Sequence, residues 1–306
     1  MSHNHHHSHS HSHHHGSAGT TSEKNLIITI GLNFLITIVQ VAGGIISGSL
    51  ALLSDALHNL SDGIAIIITF IAMRLSKKPK SLKYTFGMKR AEVLAAIFNA
   101  SSLIIISFFL IKEAIERFGN PEPIAGGLML IVAIVGLAAN FVGILLLKSG
   151  SNDNINIRSA YFHLLSDTVS SVAVTVGAIF IIFYQIYWID PVLTILISLY
   201  ILNETFKIVK EAVDMVMMSS PADIDITEIK SVLEGLPPVL NIHHVHIWRL
   251  NDHDTHFEAH IEVNDMTVGE STEMQRIIEH LLHDKFEINH TTLQFECNKC
   301  DNKSVV

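Results

Sequence analysis

The sequence predicts an all-α membrane bundle of six helices joined to a small cytosolic α+β domain, a truncated ferredoxin-like unit of order αββαβ. Three observations carry that reading. The chain has 306 residues, 49% of them hydrophobic and only 16% charged, too little charge to cover a soluble globule of this size. Its apolar residues fall into six blocks of about 20, the length that crosses a bilayer as a helix. Beyond Pro221 these blocks stop and short segments of alternating character replace them.

Residues 1–24 are His, Ser, Gly and Thr with almost nothing apolar to bury, so they read as a disordered cytosolic tail. The histidines between His3 and His15 alternate irregularly with Ser and Asn, unlike the unbroken run of an expression tag, and read as a metal-gathering tract. Residues 25–212 form the transmembrane domain, with blocks at Leu26–Ile46, Ala51–Leu75, Ala91–Ile111, Gly126–Leu147, Ser159–Tyr184 and Trp188–Phe206. Only Ser47-Gly48-Ser49-Leu50 links the first two, which forces an antiparallel hairpin. Arg74, Lys77, Lys78, Lys80, Lys83, Lys89 and Arg90 crowd the connection between the second and third, placing that loop in the cytoplasm by the positive-inside rule. Six crossings then put both termini on the same side. Lys148, Arg158, Lys207 and Lys210 agree, and the chain is expected to be a multi-pass protein of a lipid bilayer, the bacterial plasma membrane being preferred.

Residues 213–297 form the cytosolic domain. Ile224–Leu236 reads as a helix stopped by Pro237 and Pro238, Leu240–Leu250 and Thr255–Asn264 as strands, Val268–Phe286 as an amphipathic helix and Thr291–Cys297 as a last strand, followed by a tail over 298–306. A net charge of −9 argues against nucleic acid as a partner. Cys297 and Cys300, spaced Cys-x-x-Cys on the reducing side of the membrane, favour metal over a disulfide.

Ionisable groups in the hydrocarbon core are costly and therefore functional candidates. Asp55, His58 and Asp62 are spaced i, i+3, i+7 on one stripe of the second helix, and His163 and Asp167 are spaced i, i+4 on the fifth. The two helices repeat nearly the same pentapeptide, His58-Asn59-Leu60-Ser61-Asp62 and His163-Leu164-Leu165-Ser166-Asp167. One such pair would be interhelical hydrogen-bonding glue. Two copies at identical spacing supply two imidazoles and two carboxylates, the tetrahedral set that suits zinc best, and the two carboxylates neutralise its charge. Two protons on the empty site give the same neutrality, which is the physical basis of exchanging the metal for protons. Asp55 is either an acceptor orienting His58 or a residue of the outer mouth that attracts cations. Asn33, Gln40 and Asn140 read as hydrogen-bonding groups of the bundle. A metallohydrolase would keep an open coordination position and a nearby Glu; no Glu sits near either motif, so no catalytic residue is expected.

The sequence closely resembles the cation diffusion facilitator family in its zinc-transporting branch, from Leu26 to about Glu296. The resemblance rests on Ser54-Asp55-Ala56-Leu57-His58-Asn59-Leu60-Ser61-Asp62, on Tyr84-Thr85-Phe86-Gly87 with Arg90-Ala91-Glu92, on His163-Leu164-Leu165-Ser166-Asp167, on Asp190-Pro191 and on His246-Ile247-Trp248. It implies a homodimeric exporter of cytosolic Zn2+ working by alternating access with protons as counter-ion. It further implies a metal-sensing and dimerising cytosolic domain, and a zinc preference associated with His58. By motif it carries regulatory metal ligands onto His243, His260 and Glu296, with Cys297 and Cys300 close enough to form or share a second site. Lys89 departs from relatives that carry His there, which removes one half of a transfer site whose other half would be His290. Strand alternation complicates the cytosolic set: His244 and His246 share a face, as do His256 and His260, while His243 points the other way unless the strand begins after it. His246 therefore stands as its rival. His253, His280 and His283 read as surface residues.

Overall fold

The computed structural model describes residues 18–120, 122–148, 155–251, 254–297 and 304–305. The histidine tract, His253 and Cys300 lie outside the described residues. Six long helices come first: α1 (Ala18–Ser47), α2 (Leu50–Ser76), α3 (Ala91–Gly119), α4 (Gly126–Lys148), α5 (Ile155–Tyr184) and α6 (Ile189–Val216). All six contain a stretch long and apolar enough to cross a membrane. Their outward faces present large apolar side chains, among them Leu35, Ile46, Phe109, Ile131 and Phe183, as a lipid-facing surface requires.

α1, α3, α5 and α6 outrun their apolar blocks by several residues. α3 continues past Ile111 to Gly119 and α6 past Phe206 to Val216, because hydropathy marks only the apolar part of a helix that needs no further burial to propagate. In α3 the polar end is reinforced by i, i+4 pairs, Lys112 with Glu116 at 2.8 Å and Arg117 with Glu113 at 3.1 Å. α1 begins at Ala18, so the segment expected to be a disordered tail up to residue 24 ends in helix.

The chain divides into two compact units, Met1–Gly63 with Ile105–Ile201, and Ile64–Ile104 with Leu202–Val306. In the first, small residues let helices approach closely. A Cβ on Gly43 of α1 would lie 2.7 Å from Val132 of α4, and one on Gly143 of α4 would lie 2.9 Å from Leu164 of α5, the neighbour of His163. The start of α2 is fixed by α6. Asp190, fully buried, accepts from Ser49 Oγ at 2.5 Å and from the backbone N–H groups of Leu50 (2.8 Å) and Ala51 (3.2 Å). Ser49 Oγ in turn accepts from Leu52 N at 3.1 Å, so the exposed donors that begin every helix are satisfied without water.

The second unit contains α7 (Ile226–Glu234), β1 (Val239–Arg249), β2 (Thr255–Val263), α8 (Val268–Phe286) and β3 (His290–Glu296), the αββαβ order read from sequence. The sheet runs β1-β2-β3, with β1 antiparallel and β3 parallel to β2. Ile229 and Leu233 of α7 and Ile278 and Leu282 of α8 share one core with Ile242, Ile247, Phe257 and Ile261 of the sheet. Asp225 caps α7, and Thr267 with Glu270 closes a capping box on α8. A β-bulge interrupts β1 between His243 and His246, with His244 in the left-handed region at φ 49°. The bulge turns two consecutive N–H groups away from β2; Ser304 O accepts from His244 N at 3.2 Å and Val305 O from Val245 N at 2.7 Å.

Candidate metal centres

The i, i+4 spacing within α2 and within α5 stacks each His over its Asp, and the packing of the two helices turns the pairs toward one another. His58 Nε2 lies 3.6 Å from Asp62 Oδ2 and 4.0 Å from Asp167 Oδ1; His163 Nε2 lies 3.3 Å from Asp62 Oδ2 and 3.6 Å from Asp167 Oδ2. Each imidazole therefore faces one carboxylate of its own helix and one of the other. Asp62 Oδ2 and Asp167 Oδ2 are buried and make no hydrogen bond. Two buried carboxylate oxygens turned toward the same imidazoles are the donor set that a dication completes. Ligands about 2 Å from a tetrahedral zinc lie about 3.3 Å apart. The four nitrogen–oxygen separations of 3.3–4.0 Å equal or slightly exceed that spacing, so the quartet stands at or just beyond the bound geometry.

Asp55 does not orient an imidazole. Its carboxylate is 1% exposed and accepts from Ser170 Oγ at 2.6 Å, Ser171 Oγ at 3.3 Å and Gln40 Nε2 at 3.2 Å, tying α2 to α5 and α1. Its burial also removes it from an open mouth. Ser171 accepts from Asn140 Nδ2 at 3.3 Å, which brings α4 into the same network and gives Gln40 and Asn140 the bundle role expected of them.

In the C-terminal domain, His243, His260 and Glu296 place one donor atom each within 4.8 Å of the others. Glu296 Oε1 lies 2.7 Å from His243 Nε2 and 3.5 Å from His260 Nδ1. These two nitrogens are buried and make no hydrogen bond, so the cluster fits a metal ion. The bulge resolves the alternation problem: the extra residue rotates His243 onto the face of its register partner His260. His246, past the bulge, is exposed opposite Glu258 and stands apart from this cluster. Cys297 is exposed just beyond β3.

Lys89, where the resemblance would place a histidine, makes a 2.8 Å ion pair with Asp254 at the start of the hairpin's second strand. Beside it, Phe86 meets the edge of His256, which lies 4.5 Å from the His290 ring. Burial, then the neighbouring His290, holds His256 below its ordinary 6.5, while the Lys89 hydrogen bond holds Asp254 below its ordinary 3.8. Near pH 6 the unfolded chain thus takes the His256 proton before the folded one. The stabilisation from the neutral ring is full at neutral pH and lost as pH falls below the ordinary histidine value; that from Asp254 is lost only below the carboxylate range. Thermal unfolding of the C-terminal domain is expected to fall by a few degrees between about pH 7.5 and 5.5. His256→Phe should flatten part of that drop, whereas Asp254→Asn, which removes a carboxylate that favours the charged ring, should deepen it; an identical drop in His256→Phe contradicts the assignment.

Six membrane-length helices with two imidazoles and two carboxylates converging between two of them define an integral membrane carrier of metal cations. Comparison with known proteins agrees: residues 26–217 match the cation efflux transmembrane domain, and residues 221–297 match the cytoplasmic domain of cation efflux proteins. The chain belongs to the cation efflux, or cation diffusion facilitator, family, in its zinc branch. The cadmium, cobalt and zinc/H(+)-K(+) antiporter of Bacillus subtilis (strain 168) is 38% identical over 278 residues, 90% of this chain and 89% of that protein. The zinc transporter ZitB of Escherichia coli (strain K12) is 36% identical over 279 residues, 90% of this chain and 88% of that protein. The metal cation efflux system protein CzcD of Cupriavidus metallidurans is 36% identical over 280 residues, 92% of this chain and 88% of that protein. The chain is thus a metal-cation efflux transporter, not an enzyme.

Proposed function

We propose that this transporter exports cytosolic Zn2+ in exchange for protons by alternating access, through a site made of His58, Asp62, His163 and Asp167. The observation that carries the reading is the convergence of both His-x-x-x-Asp pairs, with each imidazole 3.3–4.0 Å from a carboxylate of each helix. With zinc bound, two carboxylates cancel its double charge; with zinc gone, two protons do the same, so both loaded forms cross a low-dielectric region without net charge. The names of the relatives support zinc as cargo, and the antiporter among them supports a counter-flow of cations.

In this reading both termini are cytosolic, the membrane is the bacterial plasma membrane, residues 25–212 carry transport and the chain works as a homodimer. Residues 213–297 dimerise and sense zinc at His243, His260 and Glu296, where bound metal would link β1, β2 and β3. Purified protein in sealed vesicles loaded with a zinc indicator tests the transport claim. Zinc entry should accelerate with an imposed pH gradient of the exchanging sign and reverse with the gradient. Zinc movement indifferent to the gradient would overturn proton exchange while leaving export standing.

A further inference from the structure

We propose that His244 is a ligand of the C-terminal metal centre and completes, with His243, His260 and Glu296, a four-donor zinc site of three nitrogens and one oxygen. The inference rests on the reading that this cluster holds zinc. A closed zinc site takes four ligands, and the cluster by itself supplies three.

The bulge that brings His243 onto the His260 face brings His244 with it. In a regular strand neighbouring side chains point to opposite faces, yet here the His243 and His244 rings are 5.4 Å apart, and His244 is 4.9 Å from His260, closer than the 5.5 Å between His243 and His260. Three imidazoles thus share one corner of the sheet. The conformation that achieves this, φ 49° at a residue with a Cβ, is uncommon and is held by the bonds of the His244 and Val245 N–H groups to Ser304 and Val305. His244 is partly exposed, so its ring is free to swing the remaining distance about its side-chain torsions. The other donors nearby fit less well. Cys297 is exposed beyond the end of β3, and His246 lies beyond the bulge, opposite Glu258. Charge points the same way: Glu262 is buried directly opposite Glu296 on the neighbouring strand, and two like charges in register favour a cation between or beside them.

The test uses the full chain carrying Asp62→Ala, which silences the membrane site, with cobalt as a spectroscopic probe and zinc affinity measured by competition with a chromophoric chelator. The parent should show the intense visible absorption of four-coordinate cobalt, removed by His243→Ala. His244→Asn, which keeps a residue at ease in the left-handed region, should weaken that band as water replaces the imidazole and lower zinc affinity at least about tenfold, whereas His244→Cys should restore a four-coordinate spectrum. A His244→Asn protein with the parent's spectrum and affinity overturns the proposal and leaves the three-ligand centre intact. Absence in the parent of any band dependent on His243 overturns the zinc reading of the cluster itself.

Discussion

Alanine at Asp62 or Asp167 is expected to abolish zinc flux in reconstituted vesicles. Each carboxylate serves both imidazoles, and Asp167, 3% exposed, has almost no water to fall back on. Removing either leaves a dication facing one negative charge in a low-dielectric surround, a penalty of about 3–5 kcal/mol, or roughly two to four orders of magnitude in affinity. The exchange also fails from its other side, because the empty site then needs only one proton for neutrality. Asp167→Asn should fail nearly as completely, since an amide replaces shape without charge. Asp55→Asn, changed outside the quartet, should keep zinc binding. The assay is zinc flux at saturating zinc with the variants confirmed as folded by size-exclusion chromatography; rapid flux in Asp62→Ala and Asp167→Ala would remove the site assignment altogether.

The second large effect is on stability. Asp190→Ala should unfold the protein at markedly lower temperature, in detergent or in lipid discs, because three donors lose their acceptor where water does not reach. Summing the loss over Ser49 Oγ and the Leu50 and Ala51 N–H groups gives about 3–5 kcal/mol, allowing for partial relaxation. Asp190→Asn retains an oxygen and should recover part of the difference. A wild-type melting temperature in Asp190→Ala would show that α2 does not depend on this cap.

The sequence carried local patterns well. Six apolar blocks, a turn of four residues after the first, and the change in period after Pro221 fixed the order of elements, since each depends on residues close together in the chain. The two pentapeptides exposed the intramembrane quartet for the same reason: a His and an Asp four apart share a helix face whatever the fold. What escaped was non-local. Asp190 clasps the start of a helix 140 residues earlier, and Lys89 meets Asp254 165 residues later; neither pairing leaves a mark in its own neighbourhood. The bulge at His243–His246 was visible only as a conflict, an alternation that put His243 on the wrong face. That conflict marked the place where regular pairing gives way to the needs of the cluster.

The two-residue return of the chain at Ser304 and Val305 has a bearing on solubility. β1 is an outer strand of a three-stranded sheet, and an outer strand with free N–H groups invites another molecule to add itself by backbone pairing. By taking the N–H groups of His244 and Val245, the end of the chain blunts that edge with its own backbone. Self-association through strand addition at β1 is thereby discouraged at the spot where the bulge would otherwise present two adjacent donors to a neighbour.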